Sequence, residues 1–139
     1  MTSRRRAREI AFQFLYSKLG GVGQSQCNFL KSEFENFCKG FELLADEFAW
    51  ELVDGTGKHL PSLDEAISKL STNWRLDRMP AVDKTILRIS CFEILFRKDV
   101  PKIVTINEAV EIAKKFGETD SASFVNGILD KLDKPSEVS

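Results

Sequence analysis

Four arginines crowd the start of the chain, Arg4, Arg5, Arg6 and Arg8, and Tyr16 follows them on the same apolar-periodic stretch. Guanidinium groups carry planar donor forks that match phosphate oxygens and stack on bases. Placed on the first turns of a helix they project over a wide arc, so several can track one phosphate backbone. Tyr16 further along adds a stacking platform. The competing reading is a solubilising tail whose arginines pair with the acidic stretch Glu42, Asp46, Glu47 and Glu51. Spacing alone leaves both open.

Other chemistries find little support. Gly55-Thr56-Gly57-Lys58 imitates a phosphate-binding loop, but Leu52 stands where that motif needs a glycine and His59 where it needs Ser or Thr. Gly20-Gly21-Val22-Gly23 has the wrong spacing for a dinucleotide loop. His59 is the only histidine and the local sequence offers it no partner for acid–base work. Cys27, Cys38 and Cys91 form no CxxC and pair with no histidine, so they read as buried free thiols of a reducing compartment, with no disulfide framework and no zinc site. No enzyme, metal or cofactor signature emerges.

The elements that must hold the arginines are legible from periodicity. With 139 residues the chain suits one domain, and 42% hydrophobic with 29% charged residues is an ordinary globular composition. No apolar run reaches a membrane span. Glu9, Gln13 and Lys18 interrupt the apolar residues behind the arginines, so the start is no secretory signal, and the cytoplasm is the expected location. The balance of 20 basic and 21 acidic residues excludes a surface that is basic all over, which puts the weight on where the charges lie.

Three- and four-residue apolar steps predict seven helices and an all-α bundle. The first runs from about Ser3 to Lys18 and breaks at Gly20, Gly21 and Gly23. A second carries Cys27 to Phe41, and a third continues from Phe41 to Val53 until Gly55, Gly57 and Pro61 stop it. Ser62 with Glu65 reads as a capping box for a fourth helix reaching Trp74, and Thr105 with Glu108 as another for the sixth. Between them, Pro80 fits the first position of a very apolar fifth helix ending near Lys98. Gly117 stops the sixth, and the seventh covers Ser121 to Leu132. Ile103-Val104 is the one strand-like pair. Most of the eleven phenylalanines fall on helix faces as core, and Gly127 inside the last helix reads as a close helix approach.

Arg4-Arg5-Arg6-Ala7-Arg8-Glu9 with Leu15-Tyr16-Ser17 resembles the N-terminus of the NusB family of transcription antitermination factors. The likeness continues through Asn73-Trp74-Arg75-Leu76-Asp77-Arg78-Met79 and Val82-Asp83-Lys84-Thr85-Ile86-Leu87-Arg88-Ile89. It is strongest in Val100-Pro101-Lys102, Ile106-Asn107-Glu108-Ala109-Val110-Glu111-Ile112-Ala113-Lys114 and Phe124-Val125-Asn126-Gly127-Ile128-Leu129-Asp130-Lys131. The segments stand in family order across most of the chain, and the region from Gly20 to Gly40 matches no motif.

The resemblance implies a single all-helical domain of two small packed bundles, roughly 1–60 and 61–135. It also implies a non-catalytic protein that binds the boxA element of nascent ribosomal RNA together with NusE, a ribosomal small-subunit protein, within the RNA polymerase antitermination complex. Carried over by motif, Arg4, Arg5, Arg6 and Arg8 hold RNA, with Tyr16, Phe116, Asp120 and Phe124 on the RNA side, while Asp77 and Asp83 dock NusE from the surface. From the residues alone, Phe116 and Phe124 serve equally as core, and Asp120 serves as a helix cap. The family covers monomers and homodimers. A related fold serves as the N-terminal domain of RNA cytosine methyltransferases, which the length of 139 residues sets aside. A helical protein-binding module or homodimer without intrinsic RNA binding is the alternative.

Overall fold

The computed structural model describes residues 3–20 and 25–135. Among the described residues the chain forms seven α-helices and no strand. They are α1 (Arg4–Leu19), α2 (Lys31–Gly40), α3 (Glu47–Lys58), α4 (Leu60–Leu70), α5 (Ala81–Phe96), α6 (Lys102–Phe116) and α7 (Ser121–Asp130), with a 3-10 turn at Leu76–Arg78 before α5. None of these helices is long and apolar enough to cross a membrane.

Helix α5 is the axle of the fold. It packs against α1, α3, α4, α6 and α7, and every residue from Asp83 to Ile94 is buried. A helix wrapped on all sides cannot turn its polar residues to water, so each must find a partner inside, because an uncompensated buried charge is costly. Arg88 donates through Nε to Asp64 Oδ1 at 2.7 Å and through Nη2 to Oδ2 at 2.9 Å. Glu93 accepts from Arg8 and from the Thr105 hydroxyl, which lies 2.7 Å from its Oε2. These pairs tie α4, α1 and α6 to the central helix. Around them the buried apolar residues of all seven helices make one cluster, from Ile10 and Phe14 through Leu52, Leu63 and Leu87 to Ile112 and Leu129.

Helix α1 starts where the sequence predicts. The Ser3 hydroxyl accepts the Arg6 N–H at 3.1 Å, and Gly20 closes the helix at φ 54°, a left-handed conformation that glycine adopts freely. Gly21 and Gly23 of the expected break lie outside the described residues.

Several expected boundaries move. The third helix begins at Glu47, not Phe41, because the Asp46 side chain accepts from Phe48 N and Ala49 N. It then runs through Gly55 and Gly57, expected as stops. These glycines are places of close approach: a Cβ on Gly55 would lie 2.0 Å from the Phe92 ring, and one on Gly57 2.6 Å from the Cys27 carbonyl oxygen. Neither expected capping box forms. Pro61 sits within the first turn of α4, so Ser62 is already helical, and Pro101 precedes α6, which leaves Thr105 one turn inside and buried against Glu93. Trp74 lies beyond the end of α4, the strand-like Ile103-Val104 is helical, and Pro80 flanks α5 from outside its first turn. No close approach explains Gly127, since a Cβ there meets open space.

Candidate nucleic-acid interface

The four arginines of α1 divide by register. Arg8 points inward: it is 5% exposed, and its Nε and Nη2 donate to the two Glu93 oxygens at 3.0 and 2.7 Å. The expectation that it joins its neighbours on the surface is therefore corrected, since Ala7, Ala11 and Leu15 share its side of the helix and are buried with it. Arg4, Arg5 and Arg6 remain outward. Their carboxylate partners are not the acidic stretch from Glu42 to Glu51. Arg5 donates to both oxygens of Glu108 at 2.9 to 3.2 Å, Arg6 to Glu9 at 2.9 Å, and Arg4 stands 3.6 Å from Asp99. Pairing with Glu108 raises the affinity of the Arg5 guanidinium for its proton. The residues of the acidic stretch have local duties instead: Asp46 caps α3, Glu47 meets Lys31, and Glu51 meets Arg97.

One aromatic ring organises the base of this patch. The guanidinium carbons of Arg4, Arg8 and Arg97 lie 4.5, 5.2 and 5.0 Å from the centre of the Phe48 ring. Cations over a ring face are attracted by its quadrupole, so Phe48 gathers like charges that would otherwise repel. Arg97 also holds Asp99 in a fork, and that pairing draws the Asp99 carboxyl down to about 2.

Further along α1 an aromatic row crosses to α6. Tyr16 is 42% exposed and stacks on Phe12 at 5.8 Å, and Phe12 meets Phe116 at 5.1 Å. Phe116 and Phe124 are each half-buried and packed against the core, which leaves part of each ring open to solvent.

The turn between α6 and α7 frames a cavity of about 500 Å³, lined by Trp74, Pro80, Asp83, Glu118, Asp120 and Phe124 among others. Asp120 is exposed and precedes α7, but its side chain makes no capping bond. Trp74 stands edge-on to Phe124 at 6.3 Å. Asp83 is 4% exposed, which corrects the expectation of a surface carboxylate. Ser121 donates its hydroxyl to Asp83 Oδ1 at 2.7 Å and accepts the Glu118 N–H at 2.9 Å. Gly117 makes room for that hydroxyl, which would lie 2.5 Å from a Cβ. Burial pushes the Asp83 carboxyl upward, against the opposing pull of the Ser121 hydrogen bond. Asp77 is exposed and bonded to Arg75 at 3.1 Å, on the rim of a polar groove that also includes Trp74. Arg4, Arg5 and Arg6 thus gather at one end of α1, Tyr16 and Phe116 at its other end, and Asp120 with Phe124 beyond the α6–α7 turn.

Known proteins share this sequence pattern and fold. The model of the NusB family matches residues 5–134. The chain belongs to the NusB family. It is 49% identical to the transcription antitermination protein NusB of Citrifermentans bemidjiense, with 95% of this chain and 94% of that one covered. The corresponding protein of Thermodesulfovibrio yellowstonii is 46% identical, covering 94% and 91%. Among solved structures, T. maritima NusB superposes with a TM-score of 0.79 at 35% identity, covering 96% and 94%. A chain in the crystal structure of a plectonemic RNA supercoil gives a TM-score of 0.78 at 28% identity, covering 94% and 93%.

For this NusB-family chain, sequence reasoning missed the residues that set the arginines. Glu93 and Glu108 lie 85 and 103 positions from Arg8 and Arg5, whereas Glu9 lies three positions from Arg6, within one helical turn. The i,i+3 spacing of Arg6 and Glu9 was a readable signal. Nothing local pointed to the other two. The remaining features behave structurally. Gly55-Thr56-Gly57-Lys58 is helical, and His59 stacks on Phe96 at 4.2 Å. Cys38 and Cys91 are buried, with burial pushing the Cys91 thiol up to about 12, while Cys27 is only partly covered.

Proposed function

We propose that this protein is a non-catalytic, cytoplasmic, RNA-binding antitermination factor that binds boxA RNA of nascent ribosomal transcripts together with NusE. The observation that carries this reading is the solvent-facing turn of Arg4, Arg5 and Arg6, joined along the seam between α1 and α6 to an aromatic row ending in Tyr16. Cations for phosphates beside rings for bases are what single-stranded RNA requires. Phe116, Asp120 and Phe124 extend that side, where Asp120 offers an exposed acceptor to base donors. Asp77 offers NusE an exposed carboxylate, while Asp83 shapes the same region from below by fixing Ser121 and the turn it anchors.

The test is titration of labelled boxA RNA with and without NusE. Binding that strengthens with NusE is expected. Three phosphate-contacting arginines give a salt slope near -2, at about -0.7 per contact on a single strand. Absence of RNA binding under both conditions would sink the reading, and NusE binding alone would favour a protein-binding module.

A further inference from the structure

We infer that Lys115, on α6, is an additional phosphate contact that carries the RNA strand from the arginine turn to the aromatic row. The inference rests on the RNA-binding reading above. Arg6 and Tyr16 are ten residues apart on α1, about 15 Å along a helix axis, and α1 itself supplies no cation on the surface between them. Lys115 fills that gap from the neighbouring helix. Its Nζ lies 3.2 Å from each Glu9 oxygen, and Arg6 Nη1 lies 2.9 Å from the same Oε1.

Two cations from different helices are thus anchored on one oxygen atom. The carboxylate sits beneath them: the Glu9 side chain is 13% exposed, against 43% for Arg6 and 55% for Lys115. Both positive groups therefore face solvent at a separation that one phosphate can bridge, as Glu9 already does from below. The same ammonium lies 5.5 Å from the centre of the Phe116 ring, and Phe116 leads through Phe12 to Tyr16. Arg6, Lys115, Phe116 and Tyr16 thus follow one another along this side, the two rings linked beneath the surface by the buried Phe12. A charge on α6 also explains how two helices joined here by long side chains can present a single track.

The experiment is fluorescence anisotropy of a short labelled single-stranded RNA against the full chain over a series of salt concentrations. Lys115→Ala is expected to weaken binding several-fold and to reduce the salt slope by about 0.7, the loss of one phosphate contact. Lys115→Arg should keep the slope, and Lys114→Ala on the next position should leave it unchanged. An unaltered slope in Lys115→Ala, with the slope still falling in Arg5→Ala and Arg6→Ala, would overturn this inference and spare the RNA-binding reading. No binding by the unmodified protein, either alone or with NusE added, would overturn both.

Discussion

Arg8 and Arg5 stand less than one helical turn apart, carry the same side chain, and each grips a glutamate in a two-pronged pair, yet they do opposite work. Arg8 and Glu93 are sealed between α1, α5 and α6, with side chains 6% and 1% exposed. Arg5 lies 64% exposed over Glu108. Inside, neither charge has water to fall back on, so the pair holds the fold and its guanidinium is unavailable to a ligand. Outside, solvent can replace Glu108 as the partner of Arg5, so the pair adds little stability and its arginine can exchange a carboxylate for a phosphate. The same motif thus supplies one structural tie and three surface cations, and depth alone separates them.

The sharpest way to break this comparison is to remove the glutamates one at a time. Glu93→Ala leaves Arg8 charged and buried, and a loss of about 3–5 kcal/mol in chemical unfolding is expected. Glu108→Ala, which removes the partner of exposed Arg5 and only a longer 3.8 Å contact to Arg8, should cost far less, about 1 kcal/mol. Equal losses would mean that burial does not distinguish the two pairs. Next in size, Ser121→Ala strips the Asp83 carboxyl and the Glu118 N–H of their shared hydroxyl, which should cost about 1–3 kcal/mol in the same assay. Gly127→Ala works in the other direction. A Cβ there meets open space in a helix, so a gain of up to about 1 kcal/mol is expected, and a loss would restore the close approach read from the sequence.

The smallest effects are in pH, where a buried and an exposed carboxylate should have opposite signs. Burial raises the Asp83 carboxyl above its ordinary 3.8, so its contribution to stability is greatest at low pH and is lost as pH rises through the folded value. Asp99, held by Arg97, titrates near 2 in the folded protein, so its contribution is present above 3.8 and is lost as pH falls toward 2. Carboxyl chemical shifts followed by NMR between the two extremes check both. An Asp99 midpoint that stays low in Arg97→Ala would remove Arg97 as the cause.

The helix count, the all-α class and the outward arginine turn were legible in the sequence because apolar period and charge clustering are local properties. Family order in the motifs was legible too, and it pointed to the partners proposed above. Helix boundaries were less so. Gly55 and Gly57 read as stops because glycine weakens an isolated helix, whereas here Phe92 and the chain at Cys27 press close enough to need the missing side chains. Thr105 read as a cap for the same local reason, although it sits inside α6 and donates to Glu93.

What the sequence determined by itself is that positive charge and aromatic side chains would gather on the first helix of a helical bundle. Which arginine turns inward, that Asp83 is covered, and that Lys115 reaches Glu9 across 106 positions were decided only by packing around α5. The reason is physical: periodicity assigns a residue to a face, but only the neighbouring helices decide whether that face meets water, carboxylate or core.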